Sequence, residues 1–357
     1  MIKVKEKSLE LTMKPTREGL LSTLFALGIS LLAGIIIILV TSNSPYEAIT
    51  AFFISPLRSS YFLLNIITGA IPLVFTGLAV AVAFGSGNYN LGLEGQVYIS
   101  AIVGNYVAIK LASLHTLLVL SLVFIFSFLT GGLVAGFSGL MKKVNGTNEL
   151  ISSLLLGNAF VILSDYLVEG PFNDFQSGLA ASPRIPENLL FTKIAPPSDL
   201  HTGIFFSLIT ITLVWLLLKH TNVGYYMKLT GSSPKFAFYS GIGIGKLSVF
   251  AMFISGGLAG LAGLIDLLGV HGRVVRGFST GYGWNGIAVA LIARNNPLLV
   301  LPAALLFSYL NVGAQVASFE ADITPEISRI IQALIFFLIT MKELRGFLPG
   351  RRGKEWV

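Results

Sequence analysis

Apolar runs of about twenty residues recur along the whole chain, and a helical run of that length matches the hydrocarbon core of a bilayer. They fall near residues 20–40, 62–84, 92–110, 116–141, 149–168, 202–218, 247–270, 284–294 with flanking residues, 297–316 and 327–341. Lipid leaves no water for exposed backbone groups, so ten such runs predict an all-α, polytopic membrane protein rather than a globular core. Only 11% of the residues are charged, against about 25% in a soluble domain. Residues 1–357 read as a single membrane domain. Its non-membrane parts are an N-terminal segment (1–19), an external loop (169–201), a cytoplasmic loop (219–246) and a basic tail (342–357).

Charge sets the orientation. With the N-terminus in the cytoplasm, seven of the 24 Lys and Arg residues fall on the outer side and the rest inside. That asymmetry predicts both termini in the cytoplasm. The net charge of +7 therefore reflects membrane topology, not nucleic acid. Leu20–Val40 is too long for a signal-peptide core and no small-x-small cleavage site follows it, so it is expected to remain as an anchor. The chain has no cysteine, which excludes disulfides and thiolate metal sites. His115, His201, His220 and His271 are scattered and form no helical metal pair, so no metal site is expected.

Two interruptions stand out. Phe84-Gly-Ser-Gly-Asn-Tyr-Asn-Leu-Gly-Leu-Glu-Gly-Gln96 sets glycines, amides and a carboxylate between apolar spans. A carboxylate at mid-bilayer costs roughly 2.5–3.5 kcal/mol, so Tyr89, Asn90, Glu94 and Gln96 are expected to border a wet translocation cavity. Gly281-Tyr-Gly-Trp-Asn-Gly286 opens the eighth span in a similar way. Tyr282, Trp284 and Asn285 offer either a stacking face and an amide to a planar ligand or an aromatic belt at the interface. Asp266, on the seventh span, either lines the cavity or sits hydrated near the outer boundary. Two broken helices suggest a midplane site. The same span carries Gly256 and Gly260, four apart, which reads as a close-packing face.

The cytoplasmic loop contains Gly231-Ser-Ser-Pro-Lys-Phe-Ala-Phe-Tyr-Ser-Gly-Ile242. Ser233 is expected to cap a short helix that starts at Pro234 and ends at a left-handed Gly241. Phe236 and Tyr239, flanking Ala237 and Phe238, leave apolar knobs on it. They would dock in a groove of a soluble partner or pack on the chain's own bundle. Gly241-Ile-Gly-Ile-Gly-Lys246 is not a phosphate loop: its glycine spacing is wrong and Leu247 follows the lysine. No nucleotide site is found, so any ATP used must be bound by another polypeptide. The loop at 169–201 either folds over a pore mouth, meets a docking partner or is an ordered loop without a specific role. Asn148 and Glu149 read as helix-capping residues.

Taken in order, Pro72–Phe84, Asn90-Leu-Gly-Leu-Glu-Gly-Gln96, Asn148-Glu-Leu-Ile-Ser-Ser153, the segment ending Tyr239-Ser-Gly-Ile242, and Gly286–Leu291 with Pro297 resemble the permease subunits of bacterial ABC importers for nucleosides. These are grouped with ribose and branched-chain amino-acid permeases. The resemblance covers about Pro45 to Pro297, and the Asn43-Ser-Pro-Tyr-Glu-Ala48 region resembles the longer of two paired permeases. It departs at Tyr89, Ser240 and Asn158, the last falling one place late. It implies a non-catalytic subunit of a bacterial inner-membrane importer. A second permease in a heterodimer, ATP-binding subunits and a substrate-binding lipoprotein would be its partners. It also implies that residues 231–242, with Pro234, Phe236, Ala237, Tyr239 and Gly241, couple to the ATPase. Riboflavin or a simple sugar is the alternative cargo. An ion-driven carrier is a further alternative, with only Glu94 and Asp266 to carry an ion. A scaffold without transport has no need of the polar breaks.

Overall fold

The computed structural model describes residues 17–345. Most of the N-terminal segment at 1–19 and the end of the basic tail at 342–357 lie outside the described residues. Every run expected to span is helical: α1 (Arg17–Thr41), α4 (Ser60–Gly85), α5 (Leu93–Lys110), α6 (Thr116–Asn145), α7 (Glu149–Glu169), α8 (Gly203–His220), α11 (Ile244–Asp266), α12 (Tyr282–Ile292), α13 (Pro297–Glu320) and α14 (Glu326–Arg345). Three short helices were not expected as separate elements, α2 (Pro45–Phe53), α3 (Ser55–Arg58) and α9 (Asn222–Ser232), whereas α10 (Pro234–Tyr239) is the short helix expected in the 219–246 loop. Among the described residues there is no named strand, only two isolated bridges. The fold class is all-α.

Among the described residues, six helices are long and apolar enough to cross a membrane: α4, α6, α7, α8, α13 and α11 extended by a π turn, Leu267–His271. At 11 residues, α12 is about 16 Å long, half a bilayer core of about 30 Å.

Two compact units divide the chain. One is Pro56–Val312; the other joins residues up to Ser55 with those from Gly313. In the larger unit α4 is the central helix, and every residue from Ala70 to Ala83 is buried. Its sequence is apolar on all sides, as a helix surrounded by other helices requires. The flanking helices instead show Leu117, Leu133, Leu155, Ile162 and Leu213 outward. Such an exposed apolar surface is what lipid contact demands. Helices α6 and α11 touch backbone to backbone. A Cβ on Gly256 would lie 2.1 Å from the Gly131 carbonyl oxygen, and one on Gly131 2.2 Å from that of Gly256. Helices gain no hydrophobic attraction from one another in lipid, so such close approach supplies the packing energy.

The loop at 169–201 is ordered by pairing with residues 272–276. Ser182 N–H donates to the Val274 carbonyl at 2.8 Å, and Ile185 N–H to that of Gly272 at 2.8 Å. His201 stacks on Phe191, with ring centroids 5.6 Å apart. In the smaller unit, Gly34 of α1 admits the Ile331 side chain of α14. Asp322 closes the turn after α1 by accepting from the Ser42 hydroxyl (2.5 Å) and the Asn43 backbone N–H (2.6 Å).

Candidate functional site

Helix α4 ends because Gly85, Ser86 and Gly87 turn the chain. Gly87 takes a left-handed φ of +73°, and the Ser86 hydroxyl donates back to the Ala83 carbonyl at 2.7 Å. The polar residues that follow are held by protein. Asn90 Nδ2 donates to Gln96 Oε1 at 2.9 Å, and Gln96 Nε2 returns a bond to Asn90 Oδ1 at 3.0 Å. Asn90 Nδ2 also donates to Ser255 Oγ of α11 at 3.0 Å, and Leu91 N–H to Ser153 Oγ of α7 at 3.0 Å. Asn90 and Gln96 are fully buried. Neither amide reaches the surface of this chain. The break survives because its amides satisfy each other and the backbone, which is the other condition under which irregular chain persists at membrane depth.

Tyr89 points the other way. Its ring is 46% exposed and meets Phe84 edge-on at 5.0 Å.

Glu94, in the first turn of α5, reaches the start of α12. Its Oε1 accepts from the Ser279 hydroxyl at 2.6 Å and its Oε2 from the Gly283 N–H at 2.7 Å. Ser279 Oγ in turn accepts from the Tyr282 N–H at 3.2 Å. A half-helix that begins inside the bundle leaves N–H groups unpaired, and its dipole favours a negative charge there. Glu94 supplies both partner and charge. Close approach needs Gly283, where a Cβ would sit 2.4 Å from the Glu94 nitrogen.

Asp266 is buried at the end of α11. Its Oδ2 lies 3.2 Å from His271 Nε2, and the Tyr282 phenol faces it. Glu94 and Asp266 therefore hold residues 279–283 from two sides. Trp284, half exposed, and Asn285, partly buried, extend beyond that grip. The structure thus brings Glu94, Tyr282 and Asp266 together and leaves the Asn90–Gln96 pair in a separate network.

A third network lies at the same end of the bundle as the loop at 219–246. Asn88 Oδ1 accepts from Lys142 Nζ at 2.9 Å and from the Ser248 hydroxyl, while Lys142 pairs with Glu149 at 2.7 Å. Sequence reading gave Glu149 only a capping role and missed Lys142, Ser248, Ser255 and Ser279. Ser248 and Ser255 are seven apart on one face of α11, which is the available signal. Asn148 caps α7 as expected, accepting from the Leu150 N–H at 2.9 Å.

The loop at 219–246 is two helices, α9 and α10. Pro234 starts α10, but the Ser233 side chain makes no capping bond, which corrects that expectation: Ser233, at φ −149° and ψ 78°, joins the end of α9 directly to α10. The C-terminus is as expected. Gly241 has φ +76°, and Ile242 N–H reaches the Ala237 carbonyl at 3.1 Å and Gly241 N–H that of Phe238 at 3.0 Å, the paired closure typical of a glycine C-cap. Ala237 is buried, whereas Phe236, Phe238 and Tyr239 are exposed, Tyr239 by 85%. An open groove of about 450 Å³ beside them is lined by Tyr225, Tyr226, Phe236 and Gly241, among others.

Comparison with known proteins agrees with this architecture. Residues 62–340 match the family described as branched-chain amino acid transport system / permease component. A glucose ABC transporter permease protein of Haloferax volcanii is 28% identical, over 91% of this chain and 90% of that protein. A nucleoside ABC transporter permease protein of Lactococcus lactis is 28% identical over 89% and 90%. A guanosine ABC transporter permease protein of Bacillus subtilis is 29% identical over 94% and 97%. The chain belongs to this family of transport-system permease components and is a multi-pass membrane subunit of an ABC importer.

Proposed function

We propose that this chain is the translocating subunit of an ATP-driven importer of a neutral ribosylated solute, a purine nucleoside first. The observation that carries the reading is the Glu94 carboxylate seated on the N-terminus of α12. In transporters a half-helix N-terminus commonly faces an anionic group of the solute. Here the chain's own carboxylate fills that place, so a solute carboxylate, as in an amino acid, meets no vacant dipole. Nucleosides, riboflavin and sugars carry none. Two of the relatives above are named for nucleoside and guanosine transport, and one for glucose.

In this reading ATP is hydrolysed by separate subunits that seat on α10, and the chain is itself non-catalytic and binds no cofactor. Its amide-bearing break is sealed from within, so the translocation cavity lies between this chain and a second permease. Tyr89 and Trp284, both exposed, and the partly buried Asn285 are the pathway candidates, and Glu94 and Asp266 shape the wall behind them. The Glu94 carboxylate is spent on the start of α12, which counts against an ion-driven carrier. Both termini face the cytoplasm, and a substrate-binding lipoprotein delivers the solute from outside.

The test is uptake by the complete complex in proteoliposomes with ATP inside, comparing labelled guanosine, riboflavin, glucose and leucine. Guanosine uptake is expected and leucine uptake is not. Leucine transport, or uptake by this chain alone under a proton or sodium gradient, overturns the reading.

A further inference from the structure

The coupling segment and the break between α4 and α5 are far apart in sequence, yet three contacts tie them together. First, Gly231, at the end of α9, lies directly on the break. A Cβ on Gly231 would come 2.5 Å from the Gly85 carbonyl oxygen and 3.0 Å from the Gly87 nitrogen. Two backbones meet there with nothing flexible between them, so a shift of one displaces the other.

Second, α11 starts at Ile244, only a few residues after α10 ends at Tyr239. Four residues into α11, the Ser248 hydroxyl donates to Asn88 Oδ1, and that same oxygen accepts from Lys142 Nζ. Lys142 is anchored in turn by Glu149 at 2.7 Å. One amide oxygen of the break thus joins α6, α7 and α11. Third, Ser255, two turns along the same face of α11, holds Asn90 at 3.0 Å. The rungs at Ser248 and Ser255 are about 10 Å apart along a rigid helix. Beyond the break, Glu94 grips the first turn of α12.

We infer that Asn88, with Lys142 and Ser248, is a clasp that fastens the break to the rod driven by the coupling helix, so that these three residues position the break during each transport cycle. Displacement of α10 then moves α11, the clasp carries Asn88 and Asn90 with it, and Glu94 transmits the shift to α12. The clasp is tight enough to transmit because Asn88, Ser248 and Glu149 are all buried. It is also able to reset, because its strongest member is an ion pair whose lysine is about a third exposed. The inference rests on the proposed coupling role of residues 231–242.

The chain has no native cysteine, which makes a site-specific probe direct. In the full complex, Tyr89→Cys carries an environment-sensitive fluorophore on the exposed side of the break. The change in its emission between the nucleotide-free state and the ATP–vanadate state is recorded. Coupling positions of this kind modulate the response by about 2–30-fold. Ser248→Ala and Lys142→Met are each expected to cut the change roughly five-fold while the ATPase subunits still co-purify and still bind ATP. Lys142→Arg, which keeps the charge and reach, is expected to restore it. A purely structural role predicts lower yield or midpoint of unfolding, with an undiminished change in the molecules that remain. That result overturns the clasp, as does a probe at position 89 that never responds to ATP. Should Lys142→Met not assemble, Ser248→Ala removes one hydroxyl only and decides alone. Phe238→Ala with Tyr239→Ala separates the two readings. Retained ATPase attachment with unchanged emission in that variant rejects the coupling helix itself.

Discussion

Replacing Gly256 by alanine tests the packing argument on which the larger unit depends. The new Cβ would lie 2.1 Å from the Gly131 carbonyl oxygen and 2.5 Å from the Ala135 Cβ, while ordinary contact begins near 3.4 Å. The shortfall from the carbonyl is about 1.3 Å, and a carbonyl in a helix cannot swing aside as a side chain can. Helix α6 must therefore withdraw from α11. That loosens neighbouring contacts, because Gly260 also lies close on Ser100 and Ser127. Overpacking costs roughly 1–3 kcal/mol, and a backbone obstacle places this case near about 3 kcal/mol. At roughly 2–4 °C per kcal/mol, the unfolding midpoint should fall by about 6–12 °C. The assay is the loss of the monodisperse peak of detergent-solubilised protein after brief heating. Gly28→Ala is the control. It adds the same methyl group, but nothing lies within 4 Å, and alanine gains about 0.8–1.0 kcal/mol of helix propensity. It should leave the midpoint unchanged or slightly raised. A Gly256→Ala protein as stable as wild type would refute the reasoning.

Removing the Phe238 and Tyr239 rings together should release the ATPase subunits or uncouple hydrolysis from uptake, as read by co-purification and by ATP consumed per solute moved. Glu94→Ala strips α12 of its cap and should cost about 2–3 kcal/mol for charge-assisted bonds; a cysteine at Trp284 should then react faster with a water-soluble maleimide. Burial holds His201, in the loop at 169–201, down to about 4 from 6.5, and its Nδ1 accepts from the Gly203 N–H at 3.1 Å. Because the unfolded histidine binds a proton below about 6.5 and the folded one does not, stability is fully present above pH 6.5 and declines toward pH 4. The loss should approach roughly 3 kcal/mol, visible as a falling unfolding midpoint between pH 7 and 4.5 that His201→Gln abolishes.

The sequence made legible whatever is decided locally. Run length placed every long helix, the glycine spacing at 256 and 260 announced a close crossing, and Gly241 ended α10 in the left-handed region. Asn148 capped α7 because a cap depends only on residues two or three ahead. The π turn at 267–271 left no such local mark, and neither did the pairing of 272–276 with the loop at 169–201. Asn158, one place late in the resemblance, is exposed on α7, while Gly157 beside it makes the close contact with Gly92.

What sequence could not decide was how the polar break is satisfied. A buried amide needs a partner, and water and protein serve that need equally well on paper. Asn90 and Gln96 are expected to border water because a polar break at membrane depth survives only inside protein or beside an aqueous cavity. Their partners are each other, six residues apart, and Ser255, 165 residues away. Glu94 is the same case at longer range, since the helix it caps begins 188 residues later at Tyr282. The distinction has a functional edge. A carboxylate facing open water would repel anions and attract cations, whereas one spent on a helix N-terminus leaves a pathway wall of little net charge. Importing a neutral solute calls for the second arrangement. Taking one of its two partners from this carboxylate, by Ser279→Ala to remove the donor hydroxyl, should therefore slow neutral-solute uptake even where the ATPase subunits remain bound. Unchanged uptake in that variant would show that Glu94 has no part in the pathway's electrostatics.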